Sequence, residues 1–199
     1  QLMSVVVLPV ATVLAFFSTD FLLLWTRDAA IAANSGMMLA LLAIGTAING
    51  LMNLPVTLQL AYGWTRLAFY TSSIAVILLA PFIYFMSLRY GGLGAAWVWV
   101  ILNCGCVVFS LPMMHRRLLP GQLRQWFMVD VGAPLAAALS VAGLWRQMVG
   151  PADSYGWMLF NLAMVSLLTP LAAALAAPQI RGLIVHYFAK GAGSIKSQF

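Results

Sequence analysis

The chain has 199 residues, of which 63% are hydrophobic and only 7% are charged, with no glutamate and a formal net charge of +6. Soluble domains are about one quarter charged, and disordered chains combine high charge with low hydrophobicity, so this composition excludes both classes. Two closely spaced cysteines, Cys104 and Cys106, also exclude a disulfide-stapled scaffold. An integral membrane protein remains, and its apolar runs predict the fold class.

Long apolar runs follow one another along the chain, and most of them reach the about 20 residues that a membrane-spanning helix needs. They lack the alternation of apolar and polar residues that is typical of a transmembrane β-barrel, as in SSIAVILLAPFIYF at 72–85. The runs therefore predict an all-α integral membrane protein, in which each segment satisfies its own backbone hydrogen bonds. The six predicted spans are, in chain order, about 2–24, 36–62, 67–88, 93–114, 127–148 and 155–177.

The two ends of the chain differ in composition. The N-terminal end opens with Gln1 instead of Met and is apolar from Leu2 onward, without the charged start and cleavage pattern that predict a signal peptide. This favours a fragment of a longer protein over a processed chain. Beyond the last span, residues 181–199 are predicted to form a short basic cytoplasmic tail.

The cations divide unequally between the two sides of a six-span arrangement. The side where the first span ends carries three of them: Arg27, Arg89 and Arg146. The side where it begins carries the other seven: Arg66, Arg116, Arg117, Arg124, Arg181, Lys190 and Lys196. The positive-inside rule makes the second side cytoplasmic. We attribute the basic net charge to topology and to contact with anionic lipid headgroups, because nucleic-acid binding needs clustered cations on a solvated face.

Polar side chains inside a span are the natural functional candidates, because they are costly in lipid and face a bundle interior or a water-filled cavity. The second span is the richest in them, with Asn49, Asn53 and Gln59 beside the helix-kinking Pro55. Asn49 and Asn53 are one turn apart and share a helix face. This pattern is typical of the central site of a transporter, and simple hydrogen-bonded contacts between helices remain an equally open alternative.

Two further residues complete the set of cavity candidates. Arg66, at the cytoplasmic end of the second span, is suited to bind an anionic headgroup or phosphate, or to fix the topology. Asn103 lies midway along the fourth span, where a contact between helices is the commoner role. The sequence has no catalytic set, no cofactor motif and no metal-ligand spacing, so we expect neither an enzyme nor a cofactor or metal site.

Three segments between residues 8 and 145 resemble the C-terminal part of polysaccharide and O-antigen flippases, which belong to the multidrug/oligosaccharidyl-lipid/polysaccharide exporter superfamily. The segments are LPVATVLAFFSTDFLLLWTRDAAIAA (8–33), LPVTLQLAYGWTRLAFYTSSIAVILLAPFIYF (54–85) and YGGLGAAWVWVILN (90–103). The shared traits are the Leu-Trp-Thr end of the first span, the Ala-Tyr-Gly-x-x-Arg turn at 61–66 and the Gly-x-x-Gly-Ala-Ala opening of the fourth span at 91–96.

The resemblance implies six helices of one lobe in a transporter of 12 or 14 helices, whose two lobes surround a central cavity. Its implied function is the flipping of an undecaprenyl-diphosphate-linked oligosaccharide across the bacterial inner membrane, for lipopolysaccharide, O-antigen or exopolysaccharide biosynthesis. The implied partners are this lipid-linked substrate, membrane lipids, a missing N-terminal lobe and polysaccharide-assembly proteins. Two alternatives stay open: a cation-coupled small-molecule exporter of the same superfamily, and a membrane polymerase or ligase of polysaccharide assembly.

Overall fold

A computed structural model of the chain describes residues 1–150 and 154–182. Within these ranges the chain forms helices and short turns and no strand, so the all-α prediction is confirmed for them. The helices are α1 (Leu2–Phe16), α2 (Ser18–Thr26), α3 (Ala29–Ala61), α4 (Thr65–Leu118), α5 (Leu123–Gln125), a π-helix (Trp126–Gly132), α6 (Ala133–Val149) and α7 (Tyr155–Ala176). Of the predicted tail, residues 183–199 lie outside the described residues.

Several of these helices have the length and composition of membrane spans. In the described part of the chain, four segments qualify: Ala29–Ala61, Ala68–Leu118, Leu123–Val149 and Tyr155–Ala176. The count rises to five if the bent pair of α1 and α2 forms one span. The fold is therefore compatible with a multi-pass membrane protein. The count differs from the six predicted spans because 67–88 and 93–114 both lie within α4.

The first predicted span, 2–24, is two helices instead of one. α1 and α2 meet at Phe17 at an angle of 78°, and the backbone of Phe17 is non-helical with φ −119° and ψ 24°. The buried Phe17 belongs to an apolar cluster with Val13 and Val165. Asp20 lies in the first turn of α2, where the helix dipole favours a negative charge. Hydropathy measures transfer into lipid and does not report helix direction, so it does not detect this bend.

α3 begins at Asp28, whose carboxylate accepts hydrogen bonds from the backbone N–H groups of Ala30 and Ile31 at 2.8 and 3.1 Å. This is an N-cap, which satisfies donors that the first helical turn leaves free. The helix has 33 residues, a length of about 50 Å against about 30 Å for the hydrocarbon core of a bilayer. Pro55 lies inside it, as the sequence predicts, and cannot donate to the carbonyl of Leu51.

α4 is a hairpin of two helical arms, 65–90 and 92–118, joined at Gly91. Gly91 has φ 59° and ψ −144°, a conformation that glycine adopts readily because it has no Cβ atom. At the other end of the arms, the guanidinium of Arg117 lies 4.4 Å from the centre of the Trp64 ring. In a straight helix these two residues would be about 80 Å apart. The arms correspond closely to the predicted spans 67–88 and 93–114.

The fifth predicted span, 127–148, begins with the π-helix. Pro134 has no N–H group and its ring crowds the carbonyl of Asp130 one turn earlier, which disrupts α-helical pairing at that point. The backbone before it takes the wider π form over seven residues. The π-helix brings Trp126 to the imidazole of His115 in α4, with ring centroids 6.2 Å apart.

α1 lies at the centre of the bundle and contacts α3, α6 and α7. Small buried residues, including Ala138 in α6 and Ala173 in α7, allow these helices to approach closely. The second arm of α4 packs on α3, where a Cβ atom on Gly45 would overlap the Trp99 ring. By contrast, no side chain that the structure describes in the first arm, 65–90, is buried.

Candidate functional site

A stripe of exposed polar side chains follows α3, and we refer to it as the α3 polar stripe. Its members are Thr46, Asn49, Asn53 and Thr57. Their spacing of three or four residues places them on one helix face over about 16 Å. The predicted pair of Asn49 and Asn53 is therefore adjacent and accessible. In an apolar helix, such a stripe is expected to face water or a polar partner instead of lipid, because polar side chains are costly in hydrocarbon.

Gln59 lies on the other side of α3 from the polar stripe. Its side chain is 0% exposed, and neither the nitrogen nor the oxygen of its amide has a hydrogen-bond partner among the described residues. Leaving a buried polar group unsatisfied costs about 1–3 kcal/mol. The structure therefore separates Gln59 from Asn49 and Asn53, although the sequence groups all three in one span.

Asn103 is buried in the second arm of α4. Its amide nitrogen donates a hydrogen bond to the backbone carbonyl of Trp99 at 2.8 Å. The indole N–H of Trp99 in turn donates to the hydroxyl of Thr46 at 3.4 Å. Trp99 thus connects Asn103 to Thr46 of the α3 polar stripe, while Asn103 itself is buried.

Arg66 is exposed in the first turn of α4. The cation–π contact between Arg117 and Trp64 brings the end of the second arm beside the start of the first. Arg116 is exposed next to Arg117. Among the residues described, none of these three arginines forms an ion pair with a carboxylate. We refer to Arg66, Arg116 and Arg117 as the cationic end of the α4 hairpin.

A cavity of about 560 Å³ lies between α1, α3, the second arm of α4 and the π-helix. Its lining is almost entirely apolar and includes Leu8, Ile48, Val107 and Phe127. It does not include any of the five predicted cavity residues: Asn49, Asn53, Gln59, Arg66 and Asn103. The α3 polar stripe and this apolar cavity are therefore different places. Sequence reasoning missed this cavity because apolar residues around a void resemble those in a packed core.

An ion pair that the sequence analysis did not identify joins the first and fifth predicted spans. The guanidinium of Arg146 donates to the carboxylate of Asp20 and lies over the ring of Phe17. Asn161 lines a small adjacent cavity of about 10 Å³ with them, and its amide oxygen has no hydrogen-bond partner within 1–150 and 154–182. The available signal was that Asp20 and Arg146 carry opposite charges at span ends assigned to the same membrane side.

No group of three or more His, Cys, Asp or Glu side chains within 1–150 and 154–182 is placed to hold a metal ion. Comparisons with protein-family models, curated proteins and solved structures found no match to this chain. The resemblance to polysaccharide flippases and the roles of the five candidate residues therefore stay predictions.

Proposed function

We propose that this chain is one lobe of a bacterial inner-membrane transporter that flips an undecaprenyl-diphosphate-linked oligosaccharide by alternating access. The α3 polar stripe is the single observation that carries the proposal. The hydroxyls of Thr46 and Thr57 already bond to the Trp99 indole and to the Asn53 carbonyl. The exposed amides of Asn49 and Asn53, on the same face of a long apolar helix, need a water-filled cavity or a polar partner. A second helical lobe opposite this face would enclose such a cavity.

The proposal includes six membrane crossings, with the two arms of α4 as separate crossings. The arms support this because a 54-residue helix would extend about 80 Å if straight, far beyond a bilayer core of about 30 Å. The sharp turn at Gly91 is consistent with two antiparallel crossings. With α1 and α2 as one bent crossing, the cation distribution then favours a cytoplasmic C-terminus.

In this mechanism, the amides of Asn49 and Asn53 replace water around the sugar hydroxyl groups. Each amide offers two donors and an acceptor, which suits an uncharged polyol. Arg66 at the cytoplasmic end of α4 would attract the diphosphate by charge-assisted hydrogen bonds. Gln59 and Asn103 are buried in this conformation, so they would contact substrate only after α3 and α4 move apart.

The test replaces the polar pair in the complete protein, in a strain whose surface polysaccharide depends on it. The double variant Asn49→Leu/Asn53→Leu removes two amide contacts, each worth about 1 kcal/mol. We therefore expect surface polysaccharide to fall by about tenfold or more at equal expression.

Ser140→Leu is the matched control, because Ser140 is exposed on α6 and its hydroxyl already bonds to the carbonyl of Ala136 at 2.7 Å. Normal polysaccharide in the double variant would remove the α3 polar stripe from the substrate path. Transport of a small cationic drug, without transport of labelled lipid-linked sugar in proteoliposomes, would favour the exporter alternative instead.

A further inference from the structure

The two arms of α4 enclose an open slot of about 780 Å³ along their facing sides. Residues of the first arm between Tyr70 and Phe82 line one wall, and residues of the second arm between Ile101 and Met113 line the other. The lining is mostly apolar. The first arm has no buried side chain among those described, so the bundle itself leaves the slot uncovered.

Arginine side chains lie at one end of the slot. Arg66 lies one helical turn before Tyr70, and Arg117 lies one turn after Met113, so both arginines continue the faces that line the slot. The contact of Arg117 with the Trp64 ring at 4.4 Å shows that the two arms meet there. No carboxylate within the described ranges neutralises Arg66, Arg116 or Arg117. The hairpin therefore combines an apolar slot with an uncompensated positive end.

We propose that this slot is a binding site for one anionic phospholipid of the membrane. An acyl chain lies between the arms, and the phosphate group contacts Arg116 and Arg117 at the cationic end of the hairpin. The occupant is assigned by charge complementarity, because an apolar chain with an anionic head matches both parts of the site. The lipid completes the packing of the first arm, which the protein leaves exposed. This inference does not depend on the substrate proposed above.

Native mass spectrometry of the purified full chain, with equal amounts of phosphatidylglycerol and phosphatidylethanolamine, tests the proposal. We expect one retained lipid, with phosphatidylglycerol preferred. Since a cation near the membrane surface contributes about fivefold to anionic lipid binding, Arg116→Gln/Arg117→Gln should reduce this preference about 25-fold. Arg27→Gln/Arg89→Gln is the matched control, since it removes the same charge away from the slot and should preserve the preference.

A second pair of variants tests the slot itself. Gly105 lines the slot and a Cβ atom there would meet nothing within 4 Å, so Gly105→Leu places an apolar side chain in the slot from an open backbone position. We expect it to reduce retention of both lipids at least tenfold. Gly156→Leu adds the same side chain at an equally open position in α7 and should leave retention unchanged.

Photo-crosslinking keeps the proposal testable if a variant folds poorly. Phosphatidylglycerol with a photoactivatable acyl chain should label the peptides at 70–82 and 101–113 of the unmodified protein, and excess unlabelled phosphatidylglycerol should compete. Absence of this labelling, or equal retention of the two lipids by the unmodified protein, would overturn the proposal. The proposal would also be overturned if the unmodified protein formed a dimer without bound lipid and Gly105→Leu dissociated that dimer. A second copy of the chain would then be the occupant of the slot.

Discussion

Gln59 combines full burial with an amide that has no hydrogen-bond partner among the described residues. Its helix neighbour Pro55 is also buried and has no N–H group. A buried, unsatisfied amide lowers the free energy of unfolding by about 1–3 kcal/mol relative to a well-paired or apolar side chain. This cost is consistent with a residue that is used in a different conformation of the protein.

Gln59→Leu is therefore expected to raise the free energy of unfolding by about 1–3 kcal/mol, because an apolar side chain of similar size removes the unsatisfied amide. The measurement is chemical unfolding in detergent. Gln147→Leu, at an exposed position of α6, is the control and should change the free energy by less than about 0.5 kcal/mol. A lower stability of Gln59→Leu would contradict the unpaired state of the amide. Reduced transport with increased stability would support a functional role.

The ion pair of Asp20 and Arg146 shows which properties of a single residue the sequence predicts and which it does not. Their charges follow from the sequence, and the alternation of the predicted spans assigns both residues to the same side of the membrane. Their contact depends on the bend at Phe17 and on the packing of α6 against α1, which bring the two side chains together. A charge pattern limits the possible partners of a residue, and the packing of the helices selects one.

At the scale of elements, hydropathy predicted the two arms of α4 but not the bend between α1 and α2. The predicted spans 67–88 and 93–114 agree closely with its two arms, because a charged residue and a run of glycines interrupt the apolar sequence between them. The bend between α1 and α2 was not predicted, because the polar residues Ser18, Thr19 and Asp20, which directly follow Phe17, lie within a predicted span, 2–24, that is otherwise mostly apolar. The interruption at Arg89 and the following glycines separates two predicted spans, whereas three polar residues inside a single span do not by themselves predict a change of helix direction.

Gly91→Ala should lower the free energy of unfolding by about 1–3 kcal/mol, because an alanine at φ 59° and ψ −144° is strained. A Cβ atom at this position would meet nothing within 4 Å, so the change isolates backbone strain from steric overlap. Thermal unfolding in detergent measures the effect.

Gly105→Ala is the control for this prediction. Gly105 lies inside a helix, and neither it nor its neighbours have a positive φ. A Cβ atom added there would also meet nothing within 4 Å. Alanine has the higher helix propensity, so Gly105→Ala should raise stability by up to about 1 kcal/mol. Equal effects of the two substitutions would contradict a special backbone conformation at Gly91.

At the scale of the whole molecule, polar contacts join segments that the alternating topology assigns to one side. The amide of Gln1 donates to the carboxylate of Asp130 at 2.8 Å and accepts from the backbone N–H of Gln179 at 3.0 Å. These residues lie at one end of the first, fifth and sixth predicted spans. The Asp20–Arg146 pair lies at the opposite end of the first and fifth. These contacts are consistent with first and fifth crossings that run parallel to each other and a sixth crossing that runs antiparallel to both.

Single cysteines are expected to report the two sides directly, in a background that lacks Cys104 and Cys106. Tyr90→Cys lies beside the turn of the α4 hairpin, and Gln122→Cys lies between its second arm and the π-helix; both positions are exposed. With seven cations assigned to the cytoplasmic side, a membrane-impermeant maleimide should label Tyr90→Cys in intact spheroplasts and Gln122→Cys only after lysis.

Labelling of both cysteines in detergent is the control for their reactivity. The reverse pattern in spheroplasts would contradict the assigned orientation. Labelling of both positions from the same side would contradict two separate crossings in α4, and the six-span proposal would then be wrong.

The sequence by itself determined the helical fold, the apolar character compatible with membrane spans and the approximate ends of most helices, because these depend on how much apolar surface each local segment carries. It also identified Asn49 and Asn53, two members of the α3 polar stripe, as sharing a helix face from their spacing. The tertiary structure decided which of the five candidates share a surface: Asn49 and Asn53 are exposed together, while Gln59 and Asn103 are buried. It also decided the position of the apolar cavity and of the slot in α4. Both depend on how the helices pack, and packing joins residues that are distant in the chain.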